Sequence, residues 1–210
     1  MLARRGLLGL GGVLLLSGCA AAADPRSPRP TPSGTPAAPA GSLAAGADAS
    51  AAVRAQLDYA LAHWADTENA EFGHLGVTDC VNFTSQTLLA RGWQQDDDWW
   101  YANDGGSVDY APAWISSTAL MNYLLDRPEK AVALDDEQRA SVALGDIVQF
   151  DWDRSGDRDH TGVITAVHTD ESGRTRLRYA CHSGGEDYYD IDTEITKRHP
   201  DAAVYYWSLA

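Results

Sequence analysis

The chain has 210 residues, with 16 basic and 30 acidic side chains and a formal net charge of −14. Acidity on that scale argues against a nucleic-acid binder and against direct docking on anionic lipid, because both surfaces would repel it. Roughly 160 residues follow the N-terminal segments, which suits one domain with one core.

Residues 1–18 read as a signal peptide. Arg4 and Arg5 precede an apolar run from Leu7 to Leu16, which is too short to span a bilayer comfortably. Leu16-Ser17-Gly18-Cys19 resembles the lipobox of bacterial lipoproteins, which implies cleavage before Cys19 and lipidation of its sulfur. An ordinary signal peptide cut near Ala21 to Ala23 is the other reading. Arg4-Arg5 also resembles a twin-arginine signal, so the export route stays open. Residues 19–49 hold Pro25, Pro28, Pro30, Pro32, Pro36 and Pro39 among Ala, Ser, Thr and Gly. Such a stretch cannot bury enough surface to offset its ordering entropy, and it reads as a disordered tether. The expectation is a domain lipid-anchored on the extracytoplasmic face of the cell membrane, touching the membrane through that lipid only.

Residues 50–210 form the expected domain. Val53, Leu57, Ala60, Leu61 and Trp64 recur at helical spacing and predict a helix over residues 50–65. A loop to Thr78 follows, then a second helix from Asp79 or Cys80 to Arg91, stopped by Gly92. Residues 94–112 show no period and read as a long loop. Trp114 to Leu125 reads as a third helix. Residues 146–152, 160–168, 174–182 and 203–209 are rich in β-branched and aromatic side chains and are separated by turn residues. Helices first and strands after them predict an α+β fold, with helices packed on an antiparallel sheet.

Beyond Cys19 the chain holds two more cysteines, Cys80 and Cys181. In an oxidising compartment the default for such a pair is a disulfide. Cys80, however, falls in the first turn of a helix behind Asp79, a good N-cap. Free amides and the helix dipole there favour a thiolate, which is the nucleophilic form. A base is then needed. A regular hairpin through Asp170-Glu171-Ser172-Gly173 would make His160 and His182 cross-strand neighbours, with Cys181 facing away. His63, His74 and His199 have no such geometry and read as surface or loop histidines.

The segments Asp79 to Gln86 (DCVNFTSQ), Trp99 to Tyr101, Trp114, Gly145 to Asp151 (GDIVQFD), Asp159 to Thr165 (DHTGVIT) and Ala180 to Ser183 (ACHS) together resemble the bacterial putative amidase domain family. That family is related to the papain-like cell-wall hydrolases of the NlpC and CHAP types. The resemblance covers about residues 52–209. It implies a papain-like fold, with Cys80 as nucleophile, His160 as base and His182 as the polar group orienting the base. Asp79, Asn82 and Gln86 match the motif as well, the last two in structural roles. Trp99, Trp100 and Tyr101 cluster beyond the cysteine helix and could line a groove for a sugar or peptide.

The function expected is an envelope-anchored cysteine amidase or peptidase acting on peptidoglycan stem peptides, with a cell-wall peptide as partner, no nucleic acid and no cofactor. A wall-binding module that kept the fold, or a lipid acyltransferase, stands as the alternative. Asp151 to Asp159 (DWDRSGDRD) resembles the start of a calcium loop, but Gly162 occupies the place of the bidentate glutamate. A turn with solvated acids is the simpler reading, no zinc pattern is present, and no metal is expected.

Overall fold

The computed structural model describes residues 49–65, 71–75, 79–182 and 189–210. The expected signal peptide, Cys19 and nearly all of the tether lie outside the described residues. Among the described residues no helix is long and apolar enough to cross a membrane.

Two long helices come first: α1 (Ala51–His63) and α2 (Asp79–Arg91). A small hairpin follows, β1 (Tyr101–Asp104) and β2 (Ser107–Tyr110), then α3 (Pro112–Ile115) and α4 (Ser117–Leu125). The rest is mostly sheet: β3 (Ala131–Asp135), β4 (Ile147–Asp151), β5 (His160–Thr169), β6 (Thr175–Ala180), β7 (Tyr189–Asp190) and β8 (Ala203–Leu209). A 3-10 turn (Asp136–Ser141) follows β3; α5 (Ile191–Thr193) and a π-turn (Glu194–Arg198) follow β7. The six strands run β3-β8-β4-β5-β6-β7, each pair antiparallel. The fold is α+β as expected, and its order of helices and strands is compatible with a papain-like domain.

Three local departures have clear causes. Residues 94–112 are not one loop, because Gly105 and Gly106 adopt positive φ of 60° and 99° and close the β1–β2 hairpin. Only glycine takes that pair of conformations cheaply. The third helix is broken at Ser116, which turns extended (φ −111°, ψ 125°) and caps α4 by accepting the Ala119 N–H. The edge strand β3 went unread: its five residues alternate weakly, and it is held by pairing with β8.

The sheet is buried on both faces. Ile147 and Trp207 point toward the helices, where they pack with Leu88, Trp99, Trp114 and Leu120. Val148, Phe150, Ile164, Leu177, Tyr179 and Tyr206 point the other way, under Val142 and Ile191. Every residue of β4 is therefore buried. The helix α2 is buried along Asp79 to Leu88, although six of those ten side chains are polar. Burying such side chains is costly unless they are hydrogen-bonded, and most of them are. Thr84 Oγ1 donates to the Cys80 carbonyl at 2.9 Å, Thr87 Oγ1 to the Thr84 carbonyl at 2.7 Å and Ser85 Oγ to the Trp114 carbonyl at 3.2 Å.

Candidate active site

Cys80 sits in the first turn of α2 and is 3 % exposed. Its thiol is aimed at β5 and at the start of α4. The Thr161 and Val81 backbone N–H groups and the Ser117 hydroxyl all point at the sulfur. Burial pushes the Cys80 thiol up, and these donors pull against it without cancelling it. The resting group is a thiol.

A directed chain of hydrogen bonds ends on that sulfur. Trp207 Nε1 donates to Gln149 Oε1 at 2.8 Å, which fixes the orientation of the buried amide. Gln149 Nε2 then donates to Thr161 Oγ1 at 3.1 Å and to the Ser117 carbonyl at 2.8 Å. The Thr161 hydroxyl donates to Ser117 Oγ at 2.9 Å. The Ser117 proton is left to point at Cys80. Four elements thus converge on the thiol: α2, α4, β4 and β5.

Asp79 does more than begin the helix. Its buried carboxylate accepts the Leu75 N–H at 2.8 Å and Asn82 Nδ2 at 3.0 Å on Oδ1. On Oδ2 it meets His74 Nδ1 at 3.0 Å and His182 Nδ1 in a very short contact. Burial alone would raise this carboxyl; the His182 bond, the Leu75 amide and Asn82 outweigh it and hold the group at about 2. Asn82 in turn accepts Trp114 Nε1 at 2.8 Å, and Gln86 accepts the Tyr59 hydroxyl at 2.8 Å. Both are placed to brace the helix.

His182 lies flat on Phe83, with ring centroids 4.3 Å apart. Its Nδ1 faces Asp79 and its Nε2 faces the His63 carbonyl at 2.6 Å.

His160 is elsewhere. Its Nε2 is 3.2 Å from Cys181 Sγ, and its ring stacks near Phe150 and Trp152. Thr161 faces the helices and the Cys80 sulfur, so its neighbour His160 faces away. The expected juxtaposition of His160 with His182 is therefore corrected, and the cause is a bulge. The pairs Thr169↔Thr175 through Ala166↔Arg178 keep one register, and Ile164↔Tyr179 and Val163↔Ala180 keep another, with Thr165 as the extra residue. One inserted residue exchanges the faces of everything beyond it. Continued by two residues, the second register sets His182 opposite Thr161 and Cys181 opposite Gly162. Cys181 and His182 do face opposite ways, as expected. Both Cys80 and Cys181 are free thiols, so the disulfide is not formed.

Gly162 is required by this packing, since a Cβ there would come within 2.4 Å of the Tyr179 ring and 2.8 Å of the Ala180 carbonyl. Burial, with His199 nearby, lowers His160 to about 4. A cavity of about 240 Å³ opens beside it, lined by Trp152, Tyr179, Tyr189 and His199 among others.

The aromatic trio is divided. Trp99 is wholly buried and donates to Ser85 Oγ at 3.0 Å. Tyr101 is buried at the start of β1. Trp100 alone lines an open depression of about 430 Å³, with Asp97, Asp98, Tyr110, Tyr123 and Arg127.

The acidic loop after β4 is a self-bonded turn. Asp151 accepts the Ser155 and Gly156 N–H groups at 3.0 and 2.9 Å, and Asp159 accepts the Trp152 N–H at 2.6 Å. The carboxylates of Asp151, Asp153, Asp157 and Asp159 approach one another within 4.8 Å. The sequence reading missed His74, which comes to Asp79 from a loop with no pattern to mark it.

Neither a curated relative nor a solved structure matches the chain. Residues 47–207 match the family described as "Putative amidase domain". That match covers most of the chain and carries the general expectation of amide hydrolysis. The chain therefore belongs to the putative amidase domain family.

Proposed function

We propose that the chain is a cysteine-dependent amidohydrolase, with Cys80 as nucleophile and His182, held by Asp79, as base. The observation that supports this reading is the convergence at the start of α2: a donor chain ends on the Cys80 sulfur, and the Asp79–His182 pair begins one residue earlier. Nε2 leaves the His63 carbonyl, gives its own proton to solvent, and then takes the proton of the sulfur. The thiolate attacks the amide carbon. Backbone N–H groups at the helix start, that of Cys80 included, stabilise the oxyanion. The imidazolium gives its proton to the leaving amine, and a thioester remains. The same imidazole then takes a proton from water, which cleaves the thioester and frees the acid. Asp79 holds Nδ1 throughout and stabilises the charged ring.

The substrate class proposed is the amide bonds of peptidoglycan stem peptides. It rests on the signal segment, Cys19 and tether as read from the sequence, and on the relation to NlpC-type and CHAP-type hydrolases that the family resemblance implies. Incubating the purified domain with defined muropeptides and reading products by mass tests this. New amine and acid termini, absent from Cys80→Ser, support the reading. Binding without cleavage favours a wall-binding module, and transfer to an added lipid amine favours an acyltransferase.

A second reading rests on the thiol–imidazole contact between Cys181 and His160, 3.2 Å apart beside its own cavity. There the nucleophile would be Cys181 and the base His160.

A further inference from the structure

We infer that His74, Asp79 and His182 form a binding site for a divalent transition-metal ion of the zinc type. One ligand atom each from His74, Asp79 and His182 lies within 4.8 Å of the others, and both imidazoles turn Nδ1 to Asp79 Oδ2. Zinc bonded at about 2.0–2.1 Å in a tetrahedron holds its nitrogen and oxygen ligands a little over 3 Å apart. His74 Nδ1 already stands 3.0 Å from Asp79 Oδ2, and small ring rotations open the shorter His182 contact. Two imidazoles and one carboxylate are a donor set that suits zinc, and three protein ligands leave one position open.

The surroundings orient these atoms as a metal requires. His182 Nε2 donates to the His63 carbonyl at 2.6 Å, which turns the Nδ1 lone pair toward the site. Asp79 Oδ1 is occupied by the Leu75 amide and Asn82 Nδ2, which leaves Oδ2 for the ion. Phe83 supports the His182 ring from below. Both Nδ1 atoms bind the ion in their unprotonated form, and any proton they carry passes to solvent. His74 is the gate, because its side chain is 41 % exposed while Asp79 is wholly buried.

A bound ion would occupy Asp79 Oδ2 and His182 Nδ1 and take the imidazole out of service. That consequence rests on the assignment of His182 as base; the site itself does not. Metal occupancy would then be a reversible brake on the hydrolase.

The test is direct. The purified domain, stripped with chelator, is titrated with Zn²⁺ against a chromophoric chelator, and separately with Co²⁺ while the visible spectrum is read. One equivalent should bind, with a four- or five-coordinate cobalt spectrum and no thiolate charge-transfer band. His74→Ala, at an accessible position, should weaken Zn²⁺ by more than about a hundredfold. Cys80→Ser and Asp157→Asn should leave the affinity unchanged. Binding that is indifferent to His74, or that is lost in Asp157→Asn, overturns the proposal. If Zn²⁺ binds through His74 yet hydrolysis is unaffected, the site stands and the assignment of His182 as base falls.

Discussion

The Asp79 carboxylate and the His182 ring are hydrogen-bonded across 103 residues of chain, joining the first turn of α2 to the segment just past β6. Both partners are buried. Asp79→Ala strands His182, Asn82 and the Leu75 amide together, and removing one member of a buried pair costs about 3–5 kcal/mol. Denaturant unfolding of the variant should show a loss of that size. The carboxyl is lowered from 3.8 to about 2 in the fold, so its contribution is full above pH 3.8 and vanishes as pH falls through 2. Wild type should lose about 2 kcal/mol across that window, and Asp79→Ala should not show this share of the acid loss.

His160 gives the opposite end of the acid range. Its folded state is held neutral, with its ordinary value of 6.5 lowered to about 4. Below pH 6.5 the unfolded chain takes up a proton that the folded chain refuses until about pH 4. Stability therefore falls as pH drops through that interval, by up to about 3 kcal/mol. His160→Gln should flatten the slope of unfolding free energy between pH 6.5 and 4. An unchanged slope would mean that His160 is not the group responsible.

The donor chain on Cys80 predicts the reactivity of that thiol. Ser117→Ala removes the last hydroxyl, and Thr161→Val removes the hydroxyl that orients it. Each should slow alkylation of Cys80 at fixed pH by about tenfold, because the donors that favour the thiolate are weakened. Cys181 alkylation, followed in the same sample by mass, should not change.

Trp99 and Trp100 should separate cleanly. Trp100 lines the open depression and Trp99 fills the core. Trp99→Ala should cost about 3–5 kcal/mol. Trp100→Ala should leave unfolding nearly unchanged and raise KM for a peptide substrate. A Trp100→Ala variant with wild-type KM would remove the depression from consideration as a substrate groove.

For the N-terminal segments the expectation is behavioural. Cys19→Ala should release the protein from the membrane fraction or block its processing. Unchanged fractionation would count against lipidation.

The helices and the main strands were legible because each repeats its apolar side chains at its own period. Val53, Leu57 and Ala60 mark α1, and Ile147 to Asp151 marks a strand buried on both faces. Asp79 and Cys80 were legible as the start of α2 from local chemistry alone. The facing of His160 was not. It depends on the extra residue Thr165 in β5, which carries no glycine or turn signal and acts only through the register of a partner strand. A regular strand would have continued Ala166↔Arg178 to Ile164↔Ala180, and His160 would then share a face with His182. Nor could the sequence join His74, Asp79 and His182, since only the folded chain brings those three together. The broken third helix was hidden because Ser116 reads as an ordinary helical residue until its side chain is seen capping α4.

The assignment of the nucleophile is tested most directly by turnover of one defined muropeptide by Cys80→Ser, Cys181→Ser, His182→Gln and His160→Gln, each first checked for folding by near-UV circular dichroism. The prediction is that Cys80→Ser is inactive and His182→Gln falls by more than about a hundredfold, while Cys181→Ser and His160→Gln keep most of the activity. An active Cys80→Ser beside a dead Cys181→Ser and a dead His160→Gln would contradict it and move the chemistry to the opposite face of the sheet.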